Sequence, residues 1–300
     1  MNLKTIAVPE DFYKEEIRNG YKVSSQMKKV WAVEIDLVKK LEEVCKKHDI
    51  DYSIFYGSML GCFRSNGFIP WDDDFDVVMT RHDYDILMSH SDEFEYPYFL
   101  QNYNTDKEFF KTVATLRNSE STAIIHYDRF RPFNQGIYID IYVLDTVPDN
   151  FISRLIKGIR QKISGGICYG FFYFFQFLEL KAGHYIKYSL PTRKMYRKYD
   201  RICAGKAGAK GRNCRNYLNY VEQMTYPIDY FRFIEDVQFE WTTVRMINNK
   251  EIVGEILRQS YGDDFMLPKN VAPAHGTTYL DADRSYNDFV GKLTTKDFEK

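Results

Sequence analysis

Between Ser24 and His48 the apolar positions Val30, Val33, Leu37, Leu41 and Val44 recur at intervals of three and four, with Trp31, Val38 and Cys45 beside them. This spacing predicts a helix whose first turn is capped by Ser24 or Ser25. The period then changes. Tyr52-Ser-Ile-Phe-Tyr56 reads as a short strand, Gly57-Ser58 as a turn, and Met59 to Arg64 as a short helix. Ser65-Asn-Gly-Phe-Ile-Pro70 is turn chemistry, after which Phe75 to Met79 reads as a strand and Asp83 to His90 as a helix. Further β-type runs follow at Tyr98–Asn102, Thr112–Arg117 and Ile137–Leu144. Beyond Tyr226 the pattern predicts a strand around Val237–Trp241 and a helix near Lys250–Tyr261, with Ile252, Val253, Ile256 and Leu257 on one face. Together these predict an α+β core in two parts, residues 1–150 and 226–300, interrupted by a helical insertion at 151–225.

Charge sets the insertion apart. The chain carries 41 Lys and Arg against 42 Asp and Glu, a net charge of −1. Residues 151–217 hold fifteen of those cations but only two acids, Glu179 and Asp200, so the remainder is strongly acidic. The same block contains the run Ile163 to Leu178, sixteen uncharged residues with seven aromatics between Tyr169 and Phe177. It falls short of the ~20 apolar residues of a spanning helix and contains two adjacent glycines. Two readings follow: a buried helical hairpin with solvated cationic ends, or an in-plane contact with an anionic membrane surface. Nucleic acid is not an expected partner, because no RNP, KH or OB-type pattern accompanies the basic block.

Composition narrows the class. At 44% hydrophobic and 28% charged residues, the 300-residue chain can bury a sizeable core and is not disordered, collagen-like or a coiled coil. Five scattered cysteines without a CxxC pair argue against a disulfide framework and a structural zinc site. The N-terminus lacks the apolar core of a signal peptide. The expected location is therefore cytoplasmic, with peripheral attachment to the inner face of the membrane through the insertion.

The densest chemistry lies in Trp71-Asp-Asp-Asp-Phe-Asp-Val-Val-Met79. On a strand, Asp74 and Asp76 point the same way while Phe75 and Val77 point into the core. Two like charges on one strand face repel unless a cation sits between them, and a hard divalent ion suits such a pair, Mg²⁺ above all with Mn²⁺ as the alternative. A third carboxylate, Asp140, lies in the apolar strand Ile137-Tyr-Ile-Asp-Ile-Tyr142 and needs a partner of its own. Gly57-Ser58, between a strand and a helix, offers backbone N–H groups to a phosphate. Asp72 and Asp73 read as turn residues when taken alone. A Gly-Ser turn, a DxD some 17 residues on and a strand aspartate together form the carboxylate-triad pattern of the nucleotidyltransferase-type fold.

The run from Tyr56-Gly-Ser-Met-Leu-Gly through Phe68-Ile-Pro-Trp-Asp-Asp-Asp-Phe-Asp76 resembles the LicD family of phosphotransferases, which includes the fukutin-related proteins. The resemblance continues at Arg81 and Tyr84, at Gly136-Ile-Tyr-Ile-Asp-Ile-Tyr-Val-Leu-Asp145 and at Tyr261-Gly-Asp-Asp-Phe-Met-Leu-Pro268; the basic insertion lies outside it. It implies a nucleotidyltransferase-like mixed sheet core flanked by helices. It also implies transfer of a phosphocholine-like or alditol phosphate from a CDP-linked donor to a hydroxyl of a cell-surface glycan or its lipid-linked precursor. Asp74 and Asp76 match the family's metal-binding DxD, and Asp140 its third carboxylate. Asp140 is also the candidate to accept the acceptor's proton, while Gly57, Ser58, Arg64, Arg117, Asp72 and Asp73 are candidates for substrate contact. The sequence departs from the family where Ser65 follows Arg64 in place of the usual His, and where Tyr56 and Ser58 replace Gly and Thr.

Two other classes compete. A glycosyltransferase also uses a DxD, but normally shows a larger nucleotide-binding α/β pattern ahead of it than the residues before Gly57 supply. A non-catalytic membrane-associated module would tolerate loss of the carboxylates, all of which are present.

Overall fold

The computed structural model describes every residue except 1–2, 110, 188–191, 206–210, 220–223, 269–276 and 300. A hairpin of β1 (Glu16–Arg18) and β2 (Tyr21–Val23) leads into α1 (Ser25–Lys47). The Ser24 hydroxyl caps α1 by accepting the Met27 N–H at 3.1 Å. From Val30 to Val38 every residue of α1 is buried, because strands cover one side and the chain termini the other. Two acids, Glu34 and Asp36, fall inside that run. Asp36 is satisfied by the N–H groups of Lys4 and Thr5 and by the Tyr98 hydroxyl at 2.8 Å.

Next come β3 (Ser53–Ile54), α2 (Tyr56–Ser65), β4 (Asp76–Thr80) and α3 (Arg81–Ser89). The expected strand at Tyr52–Tyr56 shrinks to two residues, since the chain turns into α2 at Tyr56, three residues earlier than the pattern suggested. Gly61 lets the Gly67–Ile69 turn lie directly on α2: a Cβ there would stand 2.4 Å from the Gly67 carbonyl oxygen. β5 (Tyr98–Gln101), β6 (Ala114–Asn118), β7 (Thr122–Ile125) and β8 (Ile137–Val147) follow. β7 escaped the sequence pattern because all four residues are buried and nothing alternates.

β8 organises the main sheet. β4 runs parallel along one edge of β8, while β6 and β9 (Asn213–Arg215) run antiparallel along the two halves of the other. β3 and β5 extend the sheet beyond β4 and β6, and β10 (Tyr226–Pro227) extends it beyond β9, which gives seven strands of mixed direction. The fold is α+β, as the sequence predicts. β11 (Ile234–Phe239) and β12 (Thr242–Ile247) form a hairpin, α6 (Lys250–Tyr261) follows, and β13 (Thr278–Asp281) pairs with β7.

Two helices lie between β8 and β9: α4 (Phe151–Ala182) and α5 (Thr192–Ala204). The run Ile163–Leu178 is not a hairpin. Gly165 and Gly166 pass through one continuous 32-residue helix, capped by the Asn150 side chain and ended by Gly183 at φ 73°. Each glycine costs a helix about 1 kcal/mol, and α4 is tied to the core by hydrogen bonds from Lys157, Gln161 and Gln176. Among the described residues, no helix is long and apolar enough to cross a membrane. All five cysteines are buried free thiols.

Candidate active site

The parallel register of β4 and β8 sets Asp76 directly beside Asp140. Both are buried, at 6% and 5% exposure, and the Asp140 N–H donates to the Phe75 carbonyl at 2.9 Å. The start of β4 is held from below, where the buried Ser58 hydroxyl accepts the Asp76 N–H at 2.9 Å. β4 begins at Asp76, so Asp74 belongs to the loop before it, and strand alternation does not aim its side chain. Asp74 nevertheless joins the cluster, hydrogen-bonded to Asp72 and acting electrostatically on Asp76. The loop is anchored from α1, where the Trp31 indole N–H donates to the Asp72 carbonyl at 3.1 Å.

Burial, together with the charges of Asp74, Asp140, Asp72 and Glu34, pushes the Asp76 carboxyl well above the usual carboxylate range. Asp72 is pushed the same way by burial and then by Asp74 and Asp73. Asp76 Oδ1 has no hydrogen-bond partner among the described residues. Leaving such an oxygen dry costs about 1–3 kcal/mol, so the cluster is an arrangement that only protons or a cation can relieve. Every donor offered is a carboxylate oxygen, the ligand type preferred by hard divalent ions.

Glu34 is the member that sequence reasoning missed. It is 1% exposed, its Oε2 has no partner among the described residues, and burial followed by the charges of Asp74, Asp73 and Asp72 raises its carboxyl well above the ordinary range. An acid inside the nine-residue buried run of α1 was the available signal. A raised folded-state carboxyl destabilises the fold progressively as pH climbs above the ordinary carboxylate value. Glu34→Gln is therefore expected to melt higher than the parent at pH 7 in chelator, with the gap closing towards pH 4. Equal melting temperatures across that range would remove Glu34 from the cluster.

The remaining predicted residues sit as follows. At Gly57 a Cβ would stand 2.6 Å from Asp72 Oδ2, so this glycine makes room for Asp72 at the start of α2. Among the described residues Arg64 forms no ion pair. Its guanidinium donates to the carbonyls of Phe265 and Leu267, which ties the family-like C-terminal stretch to α2. In that stretch Tyr261 lies close enough for Asp76, Asp72 and Asp74 to add to the effect of burial in raising its phenol. His275 falls outside the described residues. Arg117 is buried and spoken for: it donates to Gln101 and, at 2.8 Å, to the Gly136 carbonyl, and it stacks 4.4 Å above Tyr138. Asp73 is half-buried beside the cluster.

Next to Asp140 opens a cavity of about 220 Å³, with Lys111, Arg117, Tyr138, Tyr142, Tyr169 and Asn216 in its wall. The Tyr142 hydroxyl lies 3.4 Å from Asp140 Oδ2, and its ring meets Tyr56 edge-on at 5.1 Å. Deeper along β8, Arg81 grips the fully buried Asp145 with two hydrogen bonds (2.7 and 3.3 Å) and reaches Asp200 of α5 at 2.9 Å. A second polar cluster lies apart: His48 and His90 stack 3.6 Å apart at 15°, with Glu93 bonded to His48 and Lys47. Stacked rings leave no point in the plane of both imidazoles, so this arrangement is an ion-paired surface group rather than a metal centre.

Residues 49–156 match the family model described as LicD/FKTN/FKRP, nucleotidyltransferase domain. A 50-residue stretch is 40% identical to the lipopolysaccharide cholinephosphotransferase LicD of Haemophilus influenzae, covering 17% of this chain and 19% of that protein. Over 115 residues the chain is 29% identical to the uncharacterized protein RP689 of Rickettsia prowazekii, covering 38% of this chain and 40% of that one. The chain thus spans less than half the length of each of these two curated relatives. The matched segment runs from the approach to β3 into the first turns of α4 and contains Asp74, Asp76 and Asp140 together. Over residues 49–156 the chain is similar to the nucleotidyltransferase domain of the LicD/FKTN/FKRP family.

Proposed function

We propose that the protein transfers a substituted phosphate, phosphocholine or a close analogue, from a CDP-linked donor to a hydroxyl of a glycan or glycolipid. The observation that carries this reading is the in-register pairing of Asp76 with Asp140 on neighbouring parallel strands, with Asp74 beside them, inside the segment similar to this family's domain. Asp74, Asp76 and Asp140 would hold Mg²⁺, and the partnerless Asp76 Oδ1 is an oxygen that such an ion would satisfy. When bound, the ion neutralises the donor diphosphate and stabilises the departing CMP.

The chain's own residues do the rest. The acceptor oxygen bonds to the phosphorus of the transferred group as the anhydride bond to CMP breaks, and the hydroxyl proton passes to Asp140. Lys111, paired with Asp128 at 2.7 Å, brings positive charge to the cavity wall, where a phosphate needs it. Tyr138, Tyr142 and Tyr169 line the same cavity and offer aromatic faces to a quaternary ammonium group. Arg117 orients Tyr138 by stacking on it.

Thermal protection and product release test this together. With Mg²⁺, CDP-choline is expected to raise the melting temperature and, with a glycan-lipid fraction, to release CMP. Protection by a CDP-alditol in its place would change the head group and keep the reaction. Protection by a UDP-sugar alone would replace the reading with glycosyl transfer, and protection by none of them would end it.

A further inference from the structure

Helix α4 is inside out. Its packed face carries polar side chains beside Cys168 and Phe172: Lys157 donates to the Thr146 carbonyl at 2.9 Å, Gln161 to the Tyr217 carbonyl at 3.0 Å, and Gln176 to Asp128 at 3.3 Å. Glu179, 1% exposed, pairs with Arg131 at 2.8 Å. Its outer face is apolar. Ile152, Ile156, Ile159, Ile163, Ile167 and Phe174 follow one another at helical spacing, each 50% to 64% exposed. The stripe runs straight for about 33 Å at 1.5 Å per residue. A water-soluble helix would show the opposite arrangement, and a contiguous apolar face of this length marks a contact surface.

The charges beside the stripe choose the occupant. α4 exposes Arg154, Arg160, Lys162 and Lys181, and its only acid is the buried Glu179. On a helical projection Arg160 and Lys162 fall on opposite flanks of the stripe, where long side chains can reach up to headgroups while the isoleucines go down. Two copies of this face would bring cations against cations, which disfavours self-pairing. We infer that α4 lies in the plane of an anionic lipid surface, with Ile152 to Phe174 immersed at the headgroup–acyl boundary. This goes beyond the transfer reaction and does not depend on it.

Flotation of the full chain with phosphatidylcholine vesicles, with or without phosphatidylglycerol, tests the inference without any activity measurement. The parent is expected to float with the anionic vesicles at about 0.1 M salt, much less at about 1 M, and not with neutral ones. Ile159→Glu with Ile163→Glu, at solvent-facing positions, should keep the parent's melting temperature and lower partitioning at least about 10-fold. Arg160→Glu with Lys162→Glu should lower it about 25-fold or more. Failure of the parent to float on anionic vesicles at low salt would overturn the inference. So would a solution dimer that the Ile→Glu pair dissolves, since a second copy would then cover the stripe.

Discussion

Asp76→Asn is expected to abolish CMP release from the CDP-linked donor while the protein melts higher than the parent in chelator. The two effects have one cause. Asp76 is buried among Asp74, Asp140, Asp72 and Glu34 with an oxygen left unbonded, so neutralising it relieves repulsion in the metal-free protein. The same change removes the carboxylate that would hold the ion at the centre of the cluster. If the ion supplies about 4 kcal/mol of transition-state stabilisation, the loss is about 10³-fold. Addition of Mg²⁺ should raise the melting temperature of the parent and leave that of the variant where it was. Asp74→Asn and Asp140→Asn should behave alike, whereas Asp73→Asn, at a half-buried position beside the cluster, should cost least. Full activity in Asp76→Asn or Asp140→Asn would end the carboxylate-triad reading.

Asp145→Asn should be the most destabilising single change near the site without touching the carboxylate cluster. Asp145 is fully buried, and burial outweighs its Arg81 partner and keeps its carboxyl above the usual range. Its removal leaves the largely buried Arg81 with Asp200 and the exposed Asp85 alone, and losing the buried partner of such a charge costs about 3 kcal/mol, on the order of 10 °C in melting temperature. The double change Arg81→Met with Asp145→Leu should recover much of that loss, because it strands neither partner; Asp200, only partly buried, can turn to water. A double variant as unstable as Asp145→Asn would show that the pair acts through something other than its charge.

Much of this was legible because it rests on local rules. α1 followed from apolar spacing and from its cap at Ser24, and α6 from apolar spacing alone. Asp76 and Asp140 were picked out as carboxylates in otherwise apolar strands, although only the parallel register of β4 and β8 reveals that they are neighbours. What the sequence hid is non-local. Arg64, Arg117 and Ser58 carry chemistry suited to a substrate, yet in the fold their hydrogen bonds go to carbonyls of a distant segment, to Gln101 and to the Asp76 amide. Glu34 and Asp36 look alike in a helix, and only the chain that folds over Asp36 separates the satisfied acid from the one facing Asp72 to Asp74. The insertion misled in a different way. Paired glycines and an aromatic run suggest a folded-back hairpin, but a helix whose packed face is hydrogen-bonded to the core has no need to turn and bury its apolar side.

The strand that carries Asp140 is also the strand that leads into α4. From Asp140 to Val147 the chain is extended, about 23 Å, and only Pro148, Asp149 and Asn150 separate it from the helix. With α4 seated on lipid, that short joint works as a ruler. The carboxylates stand no more than about 40 Å above the bilayer surface, however the rest of the molecule is oriented. Reach, and not only chemistry, would then select an acceptor. A hydroxyl on the first sugars of a lipid-anchored chain falls within range, and one many units out along an extended polymer does not.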